Sequence, residues 1–460
     1  MLDRNLVMDV LDAVLHEGGD FAEIFVERKK STSIAMTNGK VEEATSKLEF
    51  GVGIRGFRED EQIYASTNDV SRDALISLAR DVGKALKEKK DVTAKELEKV
   101  TPENRHLIRY RPDEMGKDEK VRIMHLAHEG ASSFPTIVQV VVRYWDYVQN
   151  VLIANTEGTY VEDERVRTRL MVSAVASKDG VSERGYDGPG AGMGLEFFEL
   201  VDPKEVGKKA GRMAHKMVSA EFAPAGTMPV IIANGFGGVI FHEACGHALE
   251  ATSVAKGASV FAGKLGQKIA SEVVSAVDDA TIPNAWGSAN VDDEGTPTQR
   301  TVLIENGILK GYLVDKFNSR KMGVPSTGSG RRESYRYPPT SRMSNTFILP
   351  GEYHPEEIIA ATDYGLYAKT MGGGSVNPGT GEFNFAVIEG YLIEKGRITK
   401  PVRGAILIGK GWEVIQKIDM VGNDLARGQG MCGSISGSIP ADVGQPTIRV
   451  SELIVGGRNR

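Results

Sequence analysis

Residues Met228–Ala251 read MPVIIANGFGGVIFHEACGHALEA, and the rest of the chain is most easily placed around that stretch. Met228–Ala233 is a short apolar run, the pattern of a buried strand. Asn234-Gly235-Phe236-Gly237-Gly238 is a glycine-rich turn, and Val239–Ala251 is a helix that carries His242, Glu243 and His247. Metal ligation wants two imidazole nitrogens within about 2.1 Å of one ion and a carboxylate placed to activate its water. In the spacing H-E-x-x-H the histidines are about 400° apart around the helix and share a face. Here the second histidine comes five residues on, about 500°, so a regular helix holds the two some 140° apart. A π-type turn, with its i→i+5 repeat, brings them back to one side. We therefore predict a bulge or break between Ala244 and His247, with Gly246 supplying the conformational freedom. The alternative is a pair of packed or surface histidines on an ordinary amphipathic helix, and spacing alone leaves both open.

Upstream of this stretch the pattern is mixed α and β. Leu2–Leu15 has helical apolar spacing and ends at Gly18-Gly19. Phe21–Glu27 alternates, with Phe21, Glu23 and Phe25 on one side and Ala22, Ile24 and Val26 on the other. Ser33–Thr37 and Lys40–Thr45 form a hairpin across Asn38-Gly39, the strongest short hairpin signal. Leu48–Phe57 and Gln62–Ser66 continue the strands, and Val70–Lys87 is an amphipathic helix. The segment 89–120 is dense in Lys, Glu, Asp and Pro and marks a first boundary; Glu221–Gly226 marks a second. Between them lie helices near Lys120–Ser132 and Pro203–Ser219, with strands near Ile137–Asp146, Val151–Asn155 and Arg165–Ser177. Downstream, hairpins are expected across Glu305-Asn306-Gly307 and Glu394-Lys395-Gly396. Ser326–Gly330, Gly372–Gly374 and Gly379–Gly381 read as loops. The expected fold is α+β: domains 1–100 and 101–222, both mixed, then a larger β-rich domain 223–460 carrying the motif helix.

Composition limits the function. A chain of 460 residues has room for roughly three domains. Apolar residues at 41% and charged residues at 26% exclude a disordered or coiled-coil chain. Fifty-six basic against 62 acidic side chains, net −6 with no cationic tract, give nucleic-acid binding no support. The start MLDRNLVMDV lacks a signal peptide's basic and apolar regions, and no apolar run nears the ~20 residues of a membrane helix. Cys245 and Cys432 are the only cysteines, too few for a disulfide framework, so the expected compartment is the reducing cytoplasm. Glycine, 53 of 460, exceeds the usual ~7%. Isoleucine at 240 breaks a GxGxxG pattern, no P-loop follows, and Gly433-Ser434-Ile435-Ser436-Gly437 has Ile435 where a nucleophile elbow needs serine.

The run FHEACGHALEA resembles the TldD/PmbA family of metalloproteases, in the TldD branch that keeps the HExxxH signature. GSGRRESYRYPPTSRMSNTFILPG at Gly328–Gly351, GGGSVNPGTGEFNFAVIEGYLIEKGRITKPV at Gly372–Val402, MCGSISGSIP at Met431–Pro440 and GVGIRG at Gly51–Gly56 extend the likeness over nearly the whole chain. The resemblance implies a metal held by His242, His247 and Cys432, with Glu243 as general base. Two imidazoles and a thiolate suit one divalent ion, zinc before others, and leave a fourth position for water. Cys432, in Gly430-Met431-Cys432-Gly433-Ser434, is expected on a flexible loop. Cys245 reads as a packed apolar residue. The resemblance further implies unfolded or flexible peptide substrates and a dimer, either of this chain with itself or with a PmbA-type (TldE-like) partner. Two competing classes stay open: a non-catalytic regulatory subunit of such a complex, and a thiol hydrolase using Cys432 with a histidine.

Weaker features complete the expectations. Glu250 is either an acceptor behind an imidazole or a surface carboxylate. His125 and His128 fit a solvated helix face. Arg331, Arg332, Arg336 and Arg342, interleaved with Tyr335 and Tyr337, either line the substrate or form structural ion pairs. Glycine-rich edges such as Gly373 could receive an extended peptide as an added strand.

Overall fold

The computed structural model describes residues 1–86, 92–377 and 380–458. The first boundary segment and the helix read as ending at Lys87 both run into 87–91, and the Gly379–Gly381 loop into 378–379; these lie outside the described residues.

The Asn38-Gly39 turn forms as expected, with φ of 47° and 77° at the two positions. The strands it joins are much longer than the separate pieces read from the sequence: Phe21–Thr37 and Lys40–Arg58, 17 and 19 residues. They pair antiparallel from Phe21↔Phe57 to Thr37↔Lys40. Polar residues occupy their middles, but ladder hydrogen bonding does not depend on side-chain polarity, so pairing runs through them. Ile137–Asn155 and Thr159–Lys178 form a second long hairpin, and Phe21–Thr37 pairs with Ile137–Asn155 from Glu23↔Asn155 to Thr37↔Val141.

The segments 1–100 and 101–222 thus share one sheet, eight-stranded among the described residues, and the two cores built on it each draw residues from both segments. Ala22, Ile24 and Val26 turn toward the helices Arg4–Glu17 and Arg72–Ala85 and enter a core with Val10, Val14 and Leu75. Farther along the same sheet, Ile34, Met36, Val142 and Leu170 pack under the helices Lys117–Ser132 and Pro203–Met217. His125 and His128 lie on the first of these, outside its buried face. Phe21, Glu23, Phe25 and Glu27, on the opposite side of the strand, are also buried, and Phe25 packs with Tyr335 of the C-terminal part.

The C-terminal part is β-rich. Gly226–Ile232 pairs antiparallel with Ile448–Gly456, which pairs with Ile406–Lys410, which pairs with Glu382–Glu394. Tyr364–Val376 pairs with Glu382–Glu394 on one side and returns to Gly226–Ile232 on the other, so five strands close into a barrel. Closure leaves its inner side chains, such as Val230, Leu366, Phe385, Leu407 and Val450, in the largest core. The Gly372–Gly374 stretch belongs to one of these strands and is not a loop. A second sheet, six-stranded among the described residues, has the hairpin Ala426–Ser434/Gly437–Gln445 at its edge. Both turns expected from Asn306-Gly307 and Lys395-Gly396 form, with positive φ at all four residues. Among the described residues no helix is long and apolar enough to cross a membrane.

Candidate metal centre

The motif helix leaves the barrel at the end of Gly226–Ile232 and is irregular from its first turn. After Val239–Phe241 the backbone widens into a π turn over His242–Gly246, and the His247 amide donates to the His242 carbonyl, five residues back. This is the distortion that the i+5 spacing demands, beginning two residues before the predicted place. Gly246 serves it differently from the expectation. Its φ of −57° is open to any residue, but a Cβ there would lie 2.2 Å from the Met343 sulfur. The glycine is needed for room and not for freedom.

The turn brings both imidazoles to Cys432. Its sulfur lies 3.2 Å from His242 Nε2 and 3.3 Å from His247 Nε2, and one ligand atom from each of the three residues falls within 4.8 Å of the others. Cys432 is on the strand Ala426–Ser434 and buried with Ile439 and Ala441, a correction to the expected flexible loop. Pairing of Cys432 with Ile439 across the hairpin fixes the direction of its side chain. Zinc–nitrogen and zinc–sulfur bonds of about 2.0–2.1 and 2.3 Å at tetrahedral angles put nitrogen and sulfur roughly 3.5 Å apart. The donors present are within a few tenths of an ångström of that spacing.

Charge agrees with the geometry. Burial pushes the Cys432 thiol up, but the neighbouring imidazoles, His242 ahead of His247, outweigh burial and bring it down to about 3. Burial pulls His247 down, and Glu250 and Cys432 overcome this and hold it well above the ordinary histidine value. A thiolate therefore faces a protonated imidazole, and a cation in the proton's place would satisfy the same atoms. Cys245, two residues before His247, is fully buried, and burial alone pushes its thiol up.

Glu250 is buried, not a surface carboxylate. Its Oε2 lies 3.0 Å from His247 Nδ1, the ring nitrogen turned away from Cys432. A carboxylate in this place fixes the tautomer and orientation of a ligating imidazole. His242 differs, since its buried Nδ1 has no hydrogen-bond partner. Glu243, partly exposed, has Oε2 3.6 Å from His247 Nε2 and lines a cavity of about 450 Å³ together with His247, Ala248, Trp412 and Ser434.

The four arginines are placed elsewhere. Arg342 is fully buried and donates to the Cys432 carbonyl at 2.5 Å, to Ser436 Oγ at 2.8 Å and to the Gly437 carbonyl at 3.1 Å; its Nε is 3.9 Å from Glu250. Arg331 donates to the carbonyls of Met343 and Pro440 at 2.6 and 2.8 Å. Arg332 donates to Glu23 Oε1 and the Asp293 carbonyl, both at 2.8 Å. Arg336, half exposed, meets Glu49 at 3.0 Å. Among the described residues none of the four lines the Glu243 cavity. Gly373 lines a separate groove, between its own strand and residues Gly428–Met431 of the Cys432 strand. Strand Gly226–Ile232 pairs with Tyr364–Val376 only at 366–368, so the edge near Gly373 has no strand on that side among the described residues.

The place of Arg342 behind Cys432 was not foreseen, and Trp412 was not singled out at all. Arg342 was one of four similar arginines, and nothing local marks it as the one behind Cys432. Trp412 sits in a four-residue helix, Gly411–Val414, too short for any period to reveal.

Models of the three PmbA/TldA metallopeptidase domains match the chain: domain 1 at residues 22–86, the central domain at 110–218 and the C-terminal domain at 225–457. The chain is 38% identical to a metalloprotease TldD homolog of Haemophilus influenzae, over 100% of this chain and 97% of the relative. Among solved structures it resembles a candidate modulator of DNA gyrase from Thermotoga maritima, with a TM-score of 0.80 at 26% identity, over 95% of this chain and 96% of that one. TldE from Thermococcus kodakarensis shares the fold with a TM-score of 0.78 at 21% identity, over 98% of this chain and 100% of that one.

Proposed function

The chain belongs to the PmbA/TldD family of metallopeptidases, and from that premise we propose that it hydrolyses unfolded or flexible peptides, with His242, His247 and Cys432 holding one divalent ion and Glu243 acting as general base. The observation that carries this reading is the approach of the Cys432 sulfur to both Nε2 atoms beside a carboxylate that faces a cavity. A thiolate with two imidazoles favours zinc over the harder cations. When bound, the ion supplies Lewis acidity, which acidifies water and polarises a carbonyl oxygen.

The protein's own groups do the rest. Glu243 takes the proton of the attacking water and returns it to the leaving amine. Glu250 holds the His247 ring, and Arg342 holds the Cys432 carbonyl, so two of the three ligands are braced from behind. The unpaired edge near Gly373 and the facing Cys432 strand suit an extended peptide read by its backbone, which favours unfolded substrates. The family resemblance implies a dimer, with a second copy or with a subunit like TldE, whose fold this chain shares. Two free cysteines support a cytoplasmic location.

A thiolate beside a protonated imidazole is also the pairing of a cysteine nucleophile, and chelation separates the two chemistries. Metal analysis of the purified protein should find one equivalent, retained in Glu243→Gln and lost in Cys432→Ala. On an unfolded peptide Glu243→Gln should lose about 10²–10⁴-fold in kcat. A protein free of bound metal, activity that survives chelation, or cleavage unchanged in Glu243→Gln would overturn the mechanism.

A further inference from the structure

The turn Gly411–Val414 touches the π turn of the motif directly. A Cβ on Gly411 would lie 2.3 Å from the Ala244 carbonyl oxygen, so only glycine allows this approach. Docked there, the next residue, Trp412, comes to the wall of the Glu243 cavity. Its ring lies across Gly381, where a Cβ would come within 2.1 Å of ring carbon Cζ3. Ala248, Val260 and Val376 line the same cavity, and all four side chains are partly buried hydrophobics resting on the main core. The wall is therefore backed by packed protein. Of the serines in the lining, Ser259 has its hydroxyl committed to the Ala248 carbonyl and the Phe261 amide. The charged lining groups are Glu243, His247 and Glu250, and among the described residues no lysine or arginine faces the cavity.

We propose that Trp412, with Ala248, Val260 and Val376, forms an apolar subsite beside Glu243 that takes an aliphatic or aromatic side chain next to the scissile peptide bond. The location of the subsite next to a cleaved bond rests on Glu243 being the base, whereas its preference for an apolar side chain rests on the lining alone. An acidic side chain entering it would find no lysine or arginine among the described lining residues to pair with, and either charge would leave water for the apolar wall of Trp412, Val260 and Val376. An apolar side chain gains from the transfer and leaves no partner unsatisfied.

Fluorescein-labelled Gly/Ser-rich peptides differing only in one central residue (Leu, Phe, Asp or Lys) test this on zinc-loaded Glu243→Gln protein by fluorescence anisotropy. Kd for the Leu and Phe peptides should be about tenfold or more below that for Asp and Lys. Trp412→Ala should shrink this ratio toward one and Trp412→Phe should keep most of it, with metal content unchanged in both. Should Trp412→Ala not fold, Val260→Ser should shrink the ratio in the same direction. Equal binding of the four peptides, a preference for Asp or Lys, or an unchanged ratio in a folded Trp412→Ala would overturn the subsite. Hydrolysis of the same peptides by the wild type separates the two readings. Discrimination in binding without any cleavage would leave the subsite standing and remove the hydrolytic role, while cleavage without discrimination would do the reverse.

Discussion

Where the N-terminal sheet meets the C-terminal part, Arg55 donates to Glu23 at 2.6 Å and to Glu294 at 2.7 Å, and Arg332 donates to Glu23 from the other side. At the π turn, two imidazoles and a thiolate converge instead. Both clusters are buried and polar, and both join residues far apart in the chain. The first mixes cations with anions, so its charges offset one another within the protein. The second is three lone-pair donors and is complete only around a cation, a proton or a metal. Burial and charge alone therefore do not mark a functional site; the chemical sign of the convergent groups does.

The contrast can be broken most forcefully at the first cluster. Arg332→Met leaves Glu23 with one partner fewer and should cost roughly 3–5 kcal/mol of stability in urea unfolding, while metal affinity of the folded protein stays the same. Loss of metal without loss of stability would erase the distinction. At the second cluster the order reverses. Glu250→Gln should weaken zinc binding roughly 10–100-fold in a chelator competition and change stability far less than Arg332→Met. A smaller effect is expected from Glu294, whose carboxyl is pushed up from 4.5 to about 7 by burial, against Arg55 and with Asp315 and Glu23. Its folded value lies above its unfolded one, so its contribution is full below the unfolded value and is lost as pH rises through the folded one. Glu294→Gln has no such proton to lose, and urea curves at about pH 5 and about pH 8 should show a smaller fall for the variant than for the wild type. The least effect is at Arg336, half exposed beside Glu49, where Arg336→Ala should stay within about 0.5 kcal/mol.

The two clusters also differed in how far the sequence revealed them. A five-residue step between histidines is a local fact, and for two histidines that share one ion, helix geometry turns it into a π turn, although the spacing alone left an ordinary helix open. Cys432 was reached through family likeness; its strand was not, because Gly430, Gly433 and Ser434 look like a loop until Ile439 and Ala441 are seen opposite. Arg332 pairs with Glu23 across 309 positions, and no pattern within either segment names the other. The long sheet was hidden for the same reason. Each strand could be seen in pieces, but the pairing of Phe21–Thr37 with Ile137–Asn155 is a choice of partner, which alternation does not encode.

His242 and Cys432 are 190 positions apart, and that separation has a meaning in time. At roughly 5–20 residues per second of synthesis, the interval between the two residues is roughly 10–40 s. Throughout it the growing chain exposes a histidine pair that lacks its thiolate. The constellation is thus completed only once Cys432 has been made, after Glu250, Arg342 and Trp412, which brace or line it, are already in the chain.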